Sequence, residues 1–352
     1  MSKLQLVELR GEPLERGRSY GARVAEAIRQ NVEAYLRLIE EVSGLNRGAS
    51  LRAAAEYRSV IETHAPDLLV EMMGIADGAG RDLSEILLIN TRSELMSAGD
   101  GCTALALAPE ASLDGQVLLA QNWDWYTAVE PEPIVLRIVQ KDQPEILTLV
   151  EAGQVGKIGM NSAGLGVCLN FLEHEHRGIG LPLHVMLRQM LGCATLGGAA
   201  HAGLSIPRGT SANVMLAHSA GEILNLELTA TDADFLYGDA GWLVHANHFE
   251  CARLRAGDTG VRTSVSTVAR AARARRLLGS ARGTATMATL QAILTDHTYG
   301  EHAICRHPNS SAPSLQQTAT QASVIMDLSS GILNIAGGQP CTTAYQRLAF
   351  SH

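Results

Sequence analysis

The sequence predicts an α+β protein, and three observations carry that expectation. Helical periodicity runs from Pro13 to about Leu95, the period changes abruptly at Cys102, and runs of strands, then helices, then strands follow. In the first stretch Tyr20, Val24, Ile28, Val32, Tyr35 and Ile39 recur at three- and four-residue steps among Arg and Glu, which is the pattern of an amphipathic helix. Shorter helices are expected at Leu51 to His64, Pro66 to Gly78 and Asp82 to Met96, the last opened by the capping residues Asp82-Leu83-Ser84-Glu85.

After the hydrophilic break Ser97-Ala98-Gly99-Asp100-Gly101, strand-like segments begin with Cys102 to Ala108, Gln116 to Gln121, Ile134 to Gln140 and Ile146 to Val150. Others are Gly156 to Met160, Gly166 to Phe171, Asn213 to His218, Ile223 to Thr229, Phe235 to Tyr237 and Trp242 to Ala246, with the last two at Gln321 to Leu328 and Gly331 to Ala336. Leu181 to Leu191, Thr263 to Leu278 and Met287 to Leu294 read as helices; Arg270 to Arg276 reads as a basic helical face. Helices packed on the faces of mostly antiparallel sheets satisfy this order.

The composition narrows the function classes. At 352 residues, with 46% hydrophobic and 18% charged residues, the chain can bury a sizeable core without staples. A formal charge of -8 leaves no basic face that would make nucleic acid the default partner. Met1 to Arg10 has no apolar core of signal-peptide length, and no later run approaches the roughly 18 apolar residues of a membrane span, so a cytoplasmic protein is expected. The six cysteines form no CxxC pair and suggest neither a zinc ribbon nor a disulfide framework. The GxSxG spacing occurs only at Gly17 to Gly21, inside the helical stretch and not at a strand-to-helix elbow, and a Walker A loop and a strand-linked GxGxxG are missing. Pairs such as His174 with His176, or His245 with His248, lack a third matched ligand, and no metal is expected there.

The junction Gly101-Cys102 offers specific chemistry. A thiol that begins a strand after a flexible break can attack the preceding carbonyl. Water then releases the upstream segment and leaves Cys102 with an α-amine, whose ordinary pKa of roughly 7.7 to 8.0 suits a base. Taken alone, Gly-Cys is also an ordinary strand start after a turn. Here it is followed by Gln121-Asn122-Trp123-Asp124-Trp125, Asn161-Ser162-Ala163-Gly164, Leu169-Asn170-Phe171, Asn247-His248 and Ile304-Cys305-Arg306.

In this order, and together with Arg10-Gly11-Glu12-Pro13, Gly17, Gly21, Asn90-Thr91-Arg92-Ser93-Glu94 and Glu151-Ala152-Gly153, the set resembles the isopenicillin N acyltransferases. These are the acyl-coenzyme A:6-aminopenicillanic acid acyltransferases of the Ntn-hydrolase superfamily. The resemblance implies a four-layer αββα sandwich preceded by a helical N-terminal segment. It also implies self-cleavage into a small chain, residues 1–101, and a catalytic chain, residues 102–352, that remain associated. Cys102 becomes the nucleophile, Asp124 orients its amine, and Asn247 and Asn170 donate to the oxyanion. Arg306 lowers the thiol pKa. Trp123, Trp125 and Phe171 are candidates for substrate contact.

The expected activity is amide hydrolysis or acyl transfer through a Cys102 thioester, on a small-molecule amide or acyl thioester, with no cofactor and with higher oligomers left open. The segment Leu172 to Arg177 is more charged than a penicillin site implies. The alternative from another class is an uncut, catalytically silent binding protein of the same fold.

Overall fold

Residues 4–96, 101–129, 133–262, 264 and 266–351 are described by the computed structural model. The chain opens with a strand that helical periodicity did not reveal, β1 (Gln5–Leu9), followed by α1 (Pro13–Arg23) and α2 (Ala25–Ser43). The single amphipathic helix expected there is broken at Val24, whose backbone (φ -127°, ψ 26°) leaves the helical region. Next come α3 (Arg47–Ala55), α4 (Arg58–His64), α5 (Pro66–Ala79), α6 (Leu83–Asn90) and α7 (Arg92–Leu95). Helices α1 and α5 cross so closely that a Cβ on Gly17 would stand 2.0 Å from the Glu71 carbonyl, and one on Gly74 would stand 2.4 Å from that of Leu14. Only glycine permits that approach.

From Cys102 onward the elements are β2 (Cys102–Leu107), β3 (Leu118–Tyr126), β4 (Ile134–Ile138), β5 (Ile146–Val150), β6 (Ile158–Asn161) and β7 (Leu165–Leu172). Then follow α8 (Leu183–Leu191), α9 (Leu196–Leu204), β8 (Ser211–His218), β9 (Ile223–Leu228), β10 (Ala233–Tyr237) and β11 (Trp242–His245). The series ends with α10 (Ser266–Ser280), α11 (Met287–Leu294), β12 (Thr318–Asp327), β13 (Ile332–Ala336) and β14 (Gln346–Ala349). Helix α9 and strand β14 escaped the sequence reading. Strand β3 runs on through the Asn122-Trp123-Asp124 cluster, which had looked like a strand end.

Two sheets form the centre. One has eight strands in the order β1-β4-β5-β6-β7-β8-β9-β10, the other six in the order β11-β2-β3-β12-β13-β14. Helices α8 and α9 cover the larger sheet, α10 and α11 the smaller, and strands β2 and β3 face β7 across the interior. The result is an αββα sandwich. Alternation along β2 divides its side chains between two cores: Cys102, Ala104 and Ala106 face the other sheet, whereas Leu105 and Leu107 pack with Leu290, Ile293 and Leu294 of α11.

The N-terminal segment is part of this body. Strand β1 pairs in parallel with β4, and the Tyr20 hydroxyl donates to the Glu151 carbonyl while accepting from Gly153 N–H. Asn31 and Asn90 donate to the carbonyls of Ala152 and Gly153. Among the described residues no helix is long and apolar enough to cross a membrane.

Candidate active site

Cys102 begins β2 and pairs in register with Trp123 of β3. Asp124 follows on β3, and its N–H donates to the Gly101 carbonyl at 2.6 Å. Gly101 has φ +141°, and a Cβ there would lie 2.5 Å from the Asp124 Cβ. The residue before Cys102 therefore has to be glycine for both steric and backbone reasons. Asp100, the first residue of the Asp-Gly-Cys match, lies outside the described residues.

The loop after β11 brings Asn247 to the same point, where its Oδ1 accepts from Cys102 N–H at 2.8 Å. The other end of that amide, Nδ2, donates to the Phe171 carbonyl at 3.0 Å, and this fixes the side chain's orientation. Asp124 is held from the opposite side. Thr320 Oγ1 donates to its Oδ1 at 2.6 Å, and Arg306 Nε stands 3.8 Å from its Oδ2. Arg306 is itself fixed by Ser266 and Thr318, to whose hydroxyls it donates at 3.0 Å each.

A residue that sequence reasoning treated as solvated surface sits at the centre. Arg270 of α10 is fully buried. It donates to the Cys102 carbonyl at 2.6 Å, to Thr103 Oγ1 at 2.9 Å and to Asn247 Oδ1 at 2.9 Å. The signal was its place on the stripe Ser266, Arg270, Ala274, Leu278, which four-residue spacing puts on one buried face. Its neighbours Arg273 and Arg275 do serve ion pairs, with Asp296 and Glu250.

Lys157 is the second missed group. Its ammonium lies over the Trp123 ring and 3.2 Å from Glu151 Oε2. Glu151 also accepts from Arg92 Nε of the N-terminal segment at 3.1 Å. Burial raises the Glu151 carboxyl, but Arg92 and Lys157 outweigh it and hold the group at about 2. Burial and Arg92 push Lys157 down to about 7 against the pull of Glu151 and Cys102.

The surroundings of the Cys102 thiol disfavour its thiolate. Burial and then the Asp124 charge push the thiol up to about 11, and the cations that oppose them are Lys157 and Arg270. Arg306, expected to act on the thiol, stands beside Asp124, donates to Ser266 and Thr318, and has Nη1 3.3 Å from where a Cβ on Gly101 would lie. Asn170 is buried on β7. It accepts from Asn213 at 3.0 Å and reaches the His245 carbonyl at 3.5 Å, in a row of asparagines that continues to Asn225.

A cavity of 820 Å³ adjoins the centre, with Asn247 and Arg306 on its wall. Phe171 and Tyr126 line it, and Leu38, Glu41 and Val42 of α2 complete it from the N-terminal segment. Trp123 and Trp125 do not line it. Both are buried, Trp123 under Lys157 and Trp125 beneath the Arg92 guanidinium at 4.1 Å. His245, once weighed as a metal ligand, is paired with Glu227 at 2.7 Å inside the protein. Among the described residues, the side chains close enough to share a metal ion are His297, Cys305, His307 and Cys341.

These layers, with a cysteine at the start of a central strand facing the second sheet, define the Ntn-hydrolase sandwich. Penicillin V acylase from Agrobacterium tumefaciens superposes with a TM-score of 0.50 at 14% identity, over 71% of this chain and 86% of that one. The R18L variant of conjugated bile acid hydrolase from Clostridium perfringens gives 0.48 at 15% identity, over 71% and 97%. In sequence, residues 112–341 match the family described as acyl-coenzyme A:6-aminopenicillanic acid acyl-transferase. The 40 kDa form of acyl-coenzyme A:6-aminopenicillanic-acid-acyltransferase from Emericella nidulans is 33% identical over 250 residues, 69% of this chain and 68% of its own. The chain belongs to that acyltransferase family.

Proposed function

We propose that the protein is a self-activating N-terminal-cysteine enzyme that transfers or hydrolyses acyl groups through a Cys102 thioester. The observation that carries this reading is the convergence on one junction of Gly101, Cys102, Asp124, Asn247 and Arg270. In the activating step the Cys102 sulfur adds to the Gly101 carbonyl, the C–N bond breaks, and the thiol proton passes to the departing nitrogen. Water hydrolyses the resulting thioester, which frees the Gly101 carboxylate and leaves Cys102 with both thiol and α-amine.

That amine replaces an amide that could neither carry charge nor accept a proton. Once formed, it takes the thiol proton, and the thiolate attacks the substrate acyl carbonyl. Asn247 has a second amide proton for the oxyanion, besides the one given to Phe171, and a donor of this kind supplies about 2.7 to 4 kcal/mol. The leaving amine or thiol collects the proton from the α-ammonium. Water then gives hydrolysis, and a bound amine gives transfer. Beside these groups, Arg270 fixes Asn247 and the Cys102 carbonyl, while Asp124 stabilises the ammonium.

The cavity fits a substrate with two characters. Leu38, Val42, Tyr126 and Phe171 suit an apolar acyl chain, while Glu173, Glu301 and Arg306 suit a polar amine portion. The N-terminal segment stays with the catalytic chain after cleavage, because it supplies an edge strand, part of the cavity wall and the buried Arg92–Glu151 pair.

The test is to mix processed protein with N-acyl amino acids, β-lactams or acyl-coenzyme A thioesters, quench in acid and weigh the peptides. An acyl adduct on the Cys102 peptide is expected. Turnover that survives Cys102→Ala overturns the reading.

A further inference from the structure

We propose that His297, Cys305, His307 and Cys341, of which His307 also lines the cavity beside Asn247, form a binding site for a zinc-type divalent metal ion that does not include Cys102. Their ligand atoms all lie within 4.8 Å of one another. The Nε2 atoms of His297 and His307 are 3.2 Å apart, and Cys341 Sγ and Cys305 Sγ stand 3.2 Å and 4.0 Å from His307 Nε2. Zinc bonds of about 2.3 Å to sulfur and about 2.0 to 2.1 Å to nitrogen give a tetrahedron whose edges are about 3.3 to 3.8 Å. The cluster therefore needs only a small contraction to close around an ion.

The donor set is as selective as the spacing. Two thiolates and two imidazoles suit zinc and disfavour magnesium or calcium, which take oxygen ligands. Binding displaces the two thiol protons, so the ion and two thiolates are together neutral. His297, His307 and Cys341 are exposed and Cys305 is buried, so the site opens to solvent on one side and is anchored on the other. With four protein ligands it leaves no position for substrate, which makes it a structural site.

Its place in the fold gives it a task. Cys305 and His307 flank Arg306, whose N–H donates to Thr320 Oγ1 at 2.9 Å, the same hydroxyl that donates to Asp124. Cys341 belongs to the segment between β13 and β14. A bound ion ties that segment to the 297–307 stretch and fixes Arg306 beside Asp124, as a positioning element.

The experiment uses the full-length chain, purified without a metal-binding tag, with metal content measured by mass spectrometry after gel filtration. One zinc per chain is expected in the wild type. Cobalt added to protein stripped by a chelator should give thiolate charge-transfer absorption and the intense visible bands of a tetrahedral ion. Cys341→Ser and His297→Ala, both at exposed positions, should lose the zinc and weaken the cobalt spectrum while leaving the far-ultraviolet circular dichroism unchanged. Three outcomes overturn the proposal: no stoichiometric zinc together with an octahedral cobalt spectrum, zinc retained in Cys341→Ser, or a Cys305–Cys341 disulfide in the freshly purified chain. None of these readouts depends on acyl transfer, so the metal site and the Cys102 reading fail separately.

Discussion

Replacing Arg270 by methionine keeps most of the side-chain volume and removes the guanidinium that holds the junction together. Three acceptors lose a charge-assisted hydrogen bond: the Cys102 carbonyl, Thr103 Oγ1 and Asn247 Oδ1. Each such bond contributes about 1.5 to 3 kcal/mol. Relief of the buried guanidinium's desolvation, itself several kcal/mol, offsets much of that sum in the folding equilibrium. The folded chain should therefore survive while its geometry at Asn247 and Cys102 loosens.

If the chemical step loses the equivalent of one of these bonds, its rate falls about 10- to 150-fold. Arg270→Lys should fare little better, because a single ammonium cannot span three acceptors as the planar fork does. The thiol should also move to higher pKa, since Arg270 is one of the cations that oppose burial there. The assay is the time course of fragment formation on denaturing gels, with turnover of the processed form and thermal unfolding measured in parallel. Wild-type cleavage and turnover in a folded Arg270→Met chain would refute the role assigned to this residue.

Three further outcomes are expected. Asn247→Ala should keep the fold and lose about 100- to 1000-fold in turnover, as removal of one oxyanion donor commonly does; steady-state kinetics at unchanged melting temperature check it. In the uncut chain Asp124→Asn should shift iodoacetamide labelling of Cys102 to lower pH, because burial and then the Asp124 charge raise that thiol; an unmoved curve contradicts the assignment. Burial pushes His245 down, but its hydrogen bond to Glu227 leaves it above the ordinary value, while Glu227, despite burial, lies below its own. Stability from His245 is complete below its unfolded value of about 6.5 and is lost as pH rises through the folded value; that from Glu227 is complete above about 4.3 and is lost as pH falls through its folded value. The melting temperature should therefore fall as pH rises from about 6.5, and a His245→Gln chain with the same slope would show that the pair is not responsible.

Local periodicity revealed elements whose hydrophobic pattern is strong. Ile146–Val150 and Met287–Leu294 have the same bounds in the structure as in the sequence reading. Elements vanished where a local signal pointed elsewhere: Gly197-Gly198 disguised α9, and Arg10-Gly11 overshadowed the short strand before it. Asn122 and Asp124 resemble turn residues, yet both are buried inside β3. The Asn122 amide is used by the carbonyls of Leu294 and Ile304, and the Asp124 carboxylate by Thr320.

At the candidate site, the motifs pointed to Cys102, Asp124 and Asn247, and the fold brings them together. The motifs did not point to Arg270, whose signal was the four-residue spacing of buried positions on α10, or to Lys157, whose ring partner Trp123 lies on β3. The His297–Cys341 cluster was hidden because its ligands follow no short spacing rule. Trp123 and Trp125 were read as substrate contacts from their neighbourhood to Asp124; they share the face of β3 that Cys102 occupies on β2, opposite to Asp124, and pack in the core between the sheets, off the cavity wall.

The most direct measurement is the denatured mass of the purified wild-type chain beside that of Cys102→Ala. If Cys102 drives its own release, the wild type gives fragments of 101 and 251 residues, the latter being 352 less 101. The larger fragment should begin with an unblocked Cys102, and Cys102→Ala should give a single full-length mass. A wild-type chain that stays whole, or a Cys102→Ala chain cut at the same bond, would contradict the claim that Cys102 creates its own catalytic amine.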